Sequence, residues 1–64
     1  MTLRDLEIGQ LFKFKNDNRT IYKVCSKNLF NARAGTATRD CLSYVTNKIE
    51  SRQSKREVVL CKTV

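Results

Sequence analysis

The sequence predicts an all-β or mostly β domain: a small antiparallel barrel of four to five strands behind a short N-terminal helical turn. Three observations predict it. Apolar and polar residues alternate with a period of two in several runs. Breaks rich in Asn, Asp or Gly separate those runs at hairpin-like spacing. No segment carries the apolar stripe of a long helix. The 64 residues suit one domain, 1–64, which at this size buries only about 60% of its unfolded surface. A closed or nearly closed antiparallel sheet is the economical solution, because it hides edges that would otherwise invite aggregation.

Thr2 and Asp5 read as a capping box, with Asp in place of the usual Glu or Gln. Residues 1–9 therefore form a short helical turn, with Leu3, Leu6 and Ile8 placed to cover a barrel end. Gly9 tolerates the backbone angle that stops the turn. Gln10 to Lys15 alternates and is a strand with one buried face. Asn16-Asp17-Asn18 is a turn, and Arg19 to Lys27, rich in β-branched and aromatic residues, is the second strand. With the three Asx residues as the loop, Lys15 faces Arg19, Phe14 faces Thr20, Lys13 faces Ile21 and Phe12 faces Tyr22. This register collects Phe12, Phe14, Tyr22 and Val24 on one face. It leaves Lys13, Lys15, Arg19 and Lys23 on the other, around Leu11 and Ile21. A slip of one residue would mix the two sets.

Phe30 to Ala34 alternates again, with Phe30, Ala32 and Ala34 inward and Asn31 and Arg33 outward. Gly35-Thr36 is a turn or a bulge. Asp40 to Thr46 is a fourth strand with either Leu42 and Tyr44 or Cys41 and Val45 inward. Asn47 to Arg56 is polar apart from Ile49 and reads as a mobile loop; the alternative is one helical turn after Asn47 with Glu50 at the capping position. Glu57 to Val64 is the last strand, with Val58 and Leu60 inward. The opening Leu6-x-x-Gly9-x-x-Phe12, followed by Tyr22-x-Val24, is similar to the start of many small SH3-like barrels. The resemblance spans the first half of the chain and implies a fold but no function, because such barrels host unrelated tasks.

Charge is the strongest functional feature. The chain carries a net +7, and Ile8–Arg39 holds seven cations against the single anion Asp17, a net +6. Like charges crowded on a strand face cost stability, so the cluster Lys13, Lys15, Arg19 and Lys23 points to an anionic partner, against the plain reading of a solvated, edge-protecting face. Nucleic acid, DNA or RNA, is the expected partner. Each neutralised phosphate releases counterions and gives sequence-independent affinity, and a patch with more Lys than Arg favours point-charge contacts over bidentate base reading. Arg33 and Arg39 would extend the track, and Arg52, Lys55 and Arg56 would close over it as a flexible basic loop. Tyr44 is the best candidate for stacking a base, the other aromatics being needed in the core. Leu11 and Ile21 among the cations also suit an acidic protein surface with an apolar centre, which makes a protein-binding modulator or inhibitor the alternative. In size and charge, though in no shared motif, the chain resembles the small accessory and inhibitor proteins of bacteriophages. A thin core and open edges make a homodimer possible.

Catalysis is not expected. Histidine is absent, so the usual acid–base residue near neutral pH is missing. The six acids are scattered, and neither a P-loop nor a dinucleotide fingerprint occurs. Cys25, Cys41 and Cys61 are an odd, widely spaced set without a CxxC; they cannot supply a four-ligand zinc site or an even disulfide framework, and read as small, buried or half-buried hydrophobes. No metal and no cofactor are implied. The start Met1-Thr2-Leu3-Arg4-Asp5 lacks the apolar run of a signal peptide, and the longest apolar stretch, Val58-Val59-Leu60-Cys61, is too short to span a membrane. Together these predict a complete, cytoplasmic product.

Overall fold

The inward-facing aromatics of the first hairpin organise the molecule. The computed structural model describes residues 1–61, the side chain of Asn18 excepted. A 3-10 turn, Leu3–Asp5, precedes six strands: β1 (Leu11–Phe14), β2 (Asp17–Val24), β3 (Leu29–Asn31), β4 (Thr36–Ser43), β5 (Ile49–Gln53) and β6 (Val58–Leu60). All pairings are antiparallel. One buried cluster holds Leu3, Leu6, Phe12, Phe14, Tyr22, Val24, Cys41 and Val58. Phe12 stacks on Tyr22 at 5.5 Å between ring centroids, and Phe14 meets both rings edge-on, the offset and T-shaped geometries that the ring quadrupoles favour. The four residues assigned to the inner face of the first hairpin are all buried; Ile8, expected to help cover the end, is exposed.

The strands run in the order β3-β4-β2-β1-β6, with β5 on the other edge of β4. β2 and β3 both lie along one edge of β4 and are separated by residues 25–28. Among the described residues the sheet has six strands rather than four to five, and it is not closed: β5 and β6 do not pair. Instead the N-terminal segment spans part of the gap. Val58 N–H donates to Met1 O, Leu3 N–H to Arg56 O and Arg4 N–H to Ser54 O. Among the described residues no helix is long and apolar enough to cross a membrane.

Several local expectations are corrected. The hairpin turn is Lys15–Asn16, not the three Asx residues. Asp17 enters β2 opposite Phe14, and its side chain accepts the Arg19 N–H, which holds the chain in a local Asx turn. Phe12 faces Tyr22 as predicted, but the register shifts between Phe12 and Phe14. Gly9, with φ +96, sits in a second irregularity: its N–H donates to Val24 O while Val24 N–H donates to Gln10 O, so two residues oppose one.

The third strand stops at Asn31 because the Asn31 side chain accepts the N–H groups of Arg33 and Ala34, offering the backbone an alternative to the ladder. Ala32 and Ala34 therefore lie in an exposed turn, and Phe30, predicted inward, is 75% exposed. After Gly35 (φ +70), β4 begins at Thr36, earlier than predicted. Its inward residues are Arg39, Cys41 and Ser43, so Leu42, Tyr44 and Val45 are not core residues. The segment read as a mobile loop contains a five-residue strand, β5, fully in register with β4. Asn47, at φ 58, makes the turn that starts it, a conformation Asn tolerates better than most residues. In the last strand Val58 is buried, whereas Leu60 is 42% exposed at the sheet's end; Lys62 to Val64 of the predicted strand lie outside the described residues.

The cysteines are free. Cys41 is fully buried, and burial pushes its thiol up to about 11. Only the thiolate is nucleophilic, so in the native protein near pH 8 iodoacetamide should modify Cys25 and Cys61 while sparing Cys41 until denaturant is added. Peptide mapping reads this directly, and equal labelling of all three in the native state would contradict the core placement.

Candidate nucleic-acid interface

On a sheet, residues of one parity share a face, so the outer side of β1 carries Leu11, Lys13 and, past the strand end, Lys15. Strand pairing then fixes their neighbours. Lys23 lies between Leu11 on β1 and Leu42 on β4, and Leu42 is opposite Ile49 on β5. Lys13 lies opposite Val59 on β6. Lys13 and Lys23 are half-buried, the exposure expected of lysines whose stems cover apolar surface while the charged head stays in water. Ile21, Tyr44 and Val59 are exposed beside them, and Tyr44 N–H donates to Ile21 O.

The hairpin end meets the turn between β5 and β6. Lys15 N–H donates to Glu57 O, and Lys15, Asn16, Arg56 and Glu57 line a shallow, open recess. Arg56 packs its guanidinium 4.1 Å from the centre of the Phe14 ring and donates to Asn16 Oδ1 at 3.4 Å. The ring face supplies a cation–π contact and holds this cation at the tip of the hairpin. Lys55 is exposed on the same turn, and Arg19 is exposed on β2.

The other predicted cations are elsewhere. Arg33 stands on the exposed turn between β3 and β4. Arg52 is in β5, not in a flexible loop, and pairs with Glu50. Arg39 is the clear correction. It is 4% exposed and cannot meet a ligand. Its Nε donates to Ser26 O at 2.9 Å and its Nη1 to the carbonyls of Leu3, at 3.0 Å, and Leu6. Its place on the inner parity of β4, between the N-terminal turn and the residue 25–28 loop, makes it a structural clamp. In the sequence it is flanked by Thr38 and Asp40 and carries no local sign of burial; only the parity of β4 reveals it. The same parity places Leu42, Ile49 and Val59 on the outer face, which the linear pattern did not assign.

Glu57 lies beside Lys15 and Arg56 in the recess, and four of the other five acids make local bonds. Asp5 accepts the Thr2 backbone N–H and hydroxyl, and the backbone bond holds its carboxyl below the usual carboxylate range. Asp17 is used by Arg19 N–H, Asp40 by the Ser51 hydroxyl, and Glu50 by Arg52 and Thr46. The Arg52–Glu50 pair is the sole side-chain salt bridge among the described residues. Comparison with protein-family models, with curated proteins and with solved structures returned no match.

Proposed function

We propose that the chain is a small nucleic-acid-binding protein that contacts mainly phosphate through Lys13, Lys15, Arg19 and Lys23, with Arg56 and Lys55 at the end of the hairpin. One observation carries this reading: among the described residues none of the cations of the first hairpin is in a salt bridge, the one such pair being Arg52–Glu50 on β5. A free cationic surface of this kind gains affinity for polyanions by counterion release. Arg33 is a peripheral contributor, and Arg39 is excluded. We read the sheet as an SH3-like arrangement left open between β5 and β6, with β3 continuing β2 along β4, and the chain as a cytoplasmic binding module; a sequence without histidine lacks the usual acid–base group near neutral pH.

The test is fluorescence polarisation with mixed-sequence DNA and RNA. Binding in the micromolar range or weaker is expected at about 50 mM salt, falling steeply by about 200 mM. No binding of any nucleic acid at the lower salt would end this reading. A second reading rests on the outer-face row Ile49–Leu42–Lys23–Leu11, flanked by exposed Ile21, Tyr44 and Val59, a mixture that suits a protein with an acidic rim and an apolar centre. Pull-down with and without nuclease separates the two: one nuclease-resistant partner, released by Leu11→Asp, would favour a protein modulator.

A further inference from the structure

We infer that the chain forms a symmetric homodimer by antiparallel pairing of β5 with β5 of a second copy, centred on Ser51. The pairing of β5 with β4 shows which backbone groups are free. Ser43 N–H donates to Lys48 O and Ser54 N–H to Ala37 O, at the two ends of one continuous register. In an antiparallel ladder, hydrogen-bonded and non-bonded pairs alternate. Lys48, Glu50, Arg52 and Ser54 therefore turn their N–H and C=O groups toward β4. Ile49, Ser51 and Gln53 turn theirs outward, to an edge that no other described strand occupies.

The strand Ile49-Glu50-Ser51-Arg52-Gln53 is self-complementary about its middle residue. A two-fold axis at Ser51 sets Ser51 opposite the partner's Ser51 and Ile49 opposite the partner's Gln53, so every outward N–H and C=O of the strand finds a mate. The same register sets Glu50 opposite the partner's Arg52 and Arg52 opposite the partner's Glu50. These are non-hydrogen-bonded positions, where side chains approach most closely. Within one copy Glu50 and Arg52 pair with each other, with side chains 27% and 31% exposed; at the edge they can exchange that pairing for two across the axis. Arg52 Nη1 also donates to Ser51 O at 3.0 Å, which satisfies the edge carbonyl while the chain is alone. The Ser51 hydroxyl is turned to Asp40 and leaves the edge clear.

Sheet edges are normally guarded by charged side chains, Lys above all, by Pro or by a bulge, and the two charges of β5 are of opposite sign and pair with each other. Residues 49–53 contain neither Lys nor Pro, and their register with β4 is unbroken. A second copy is favoured over an unrelated strand by this charge symmetry: an isologous contact requires a surface complementary to itself, and Glu-x-Arg read in both directions provides one.

Sedimentation velocity of the full chain without nucleic acid reads the state independently of the proposed function. A monomer–dimer equilibrium with a Kd of about 10–1,000 µM is expected of so small a contact. Ser51→Pro removes the N–H at the axis, which faces away from β4, and is tolerated on an edge strand; it should weaken the dimer about tenfold or more with an unchanged circular dichroism spectrum. Glu50→Arg alone and Arg52→Glu alone place like charges together and should each be monomeric. Mixing the two in equal amounts should form a heterodimer, and the double exchange should restore self-association. A monomer throughout that concentration range, a dimer indifferent to Ser51→Pro, or loss of the dimer on Leu11→Asp with the β5 exchanges silent would overturn the inference, the last placing the contact on the outer face.

Discussion

Arg39→Met should cost about 3–5 kcal/mol of stability, a large fraction of the total. A 64-residue domain is stable by only about 3–10 kcal/mol, at the usual margin per residue. The guanidinium is buried and bonded to three backbone carbonyls from two separate segments. Methionine fills much of the stem's volume but accepts no part of that role. Each buried acceptor left without a donor costs about 1–3 kcal/mol. Arg39→Lys keeps the charge but loses the planar fork that reaches all three carbonyls, so it should fall between the two. Urea unfolding followed by circular dichroism measures the loss. A change below about 1 kcal/mol would show that the clamp does not hold the N-terminal turn. A fall in nucleic-acid affinity at unchanged stability would instead return Arg39 to the binding surface.

The joint replacement Lys13→Gln, Lys15→Gln and Lys23→Gln should reduce duplex affinity on the order of a hundredfold at low salt and flatten the salt dependence. Each lost phosphate contact lowers the log–log slope by about 0.9, so three lower it by about 2.7. Stability should change little, because none of the three ammonium groups takes part in a salt bridge among the described residues and exposed charges contribute little to folding. Relief of like-charge crowding on the strand face acts to stabilise. The slope is the sharper readout. A loss of affinity with the slope intact would mean that the lysines act through packing rather than through phosphate.

The hairpin was legible because its two faces differ in kind. Phe12, Phe14, Tyr22 and Val24 fall on one parity and lysines on the other, so burial could be assigned without knowing the turn. The turn itself was misread because Asp17 makes an Asx bond from inside the strand, and three consecutive Asx residues look alike in the linear pattern. β4 was harder. Its inner face holds Arg39, Cys41 and Ser43, a cation, a thiol and a hydroxyl, whereas its outer face holds Leu42. Hydropathy alone therefore favours the wrong side. β5 was hidden for a related reason: as an edge strand with a polar sequence, it is held by backbone pairing to β4 rather than by apolar burial, and such pairing leaves no mark on composition. On the candidate surface, the sequence grouped Lys13, Lys15 and Lys23 but could not bring Arg56 to Phe14 and Asn16, since that contact joins residues from opposite ends of the chain.

The bonds from Met1, Leu3 and Arg4 to Val58, Arg56 and Ser54 join residues at least fifty positions apart. Such distant partners delay structure acquisition, because loop closure precedes the contacts that reward it. During synthesis the first hairpin can emerge with its three aromatic rings still uncovered, and they stay so until Val58 has left the ribosome. Until then the nascent polypeptide is exposed to proteases and to self-association, and its yield in a host should depend on chaperone supply more than that of a helical protein of equal length.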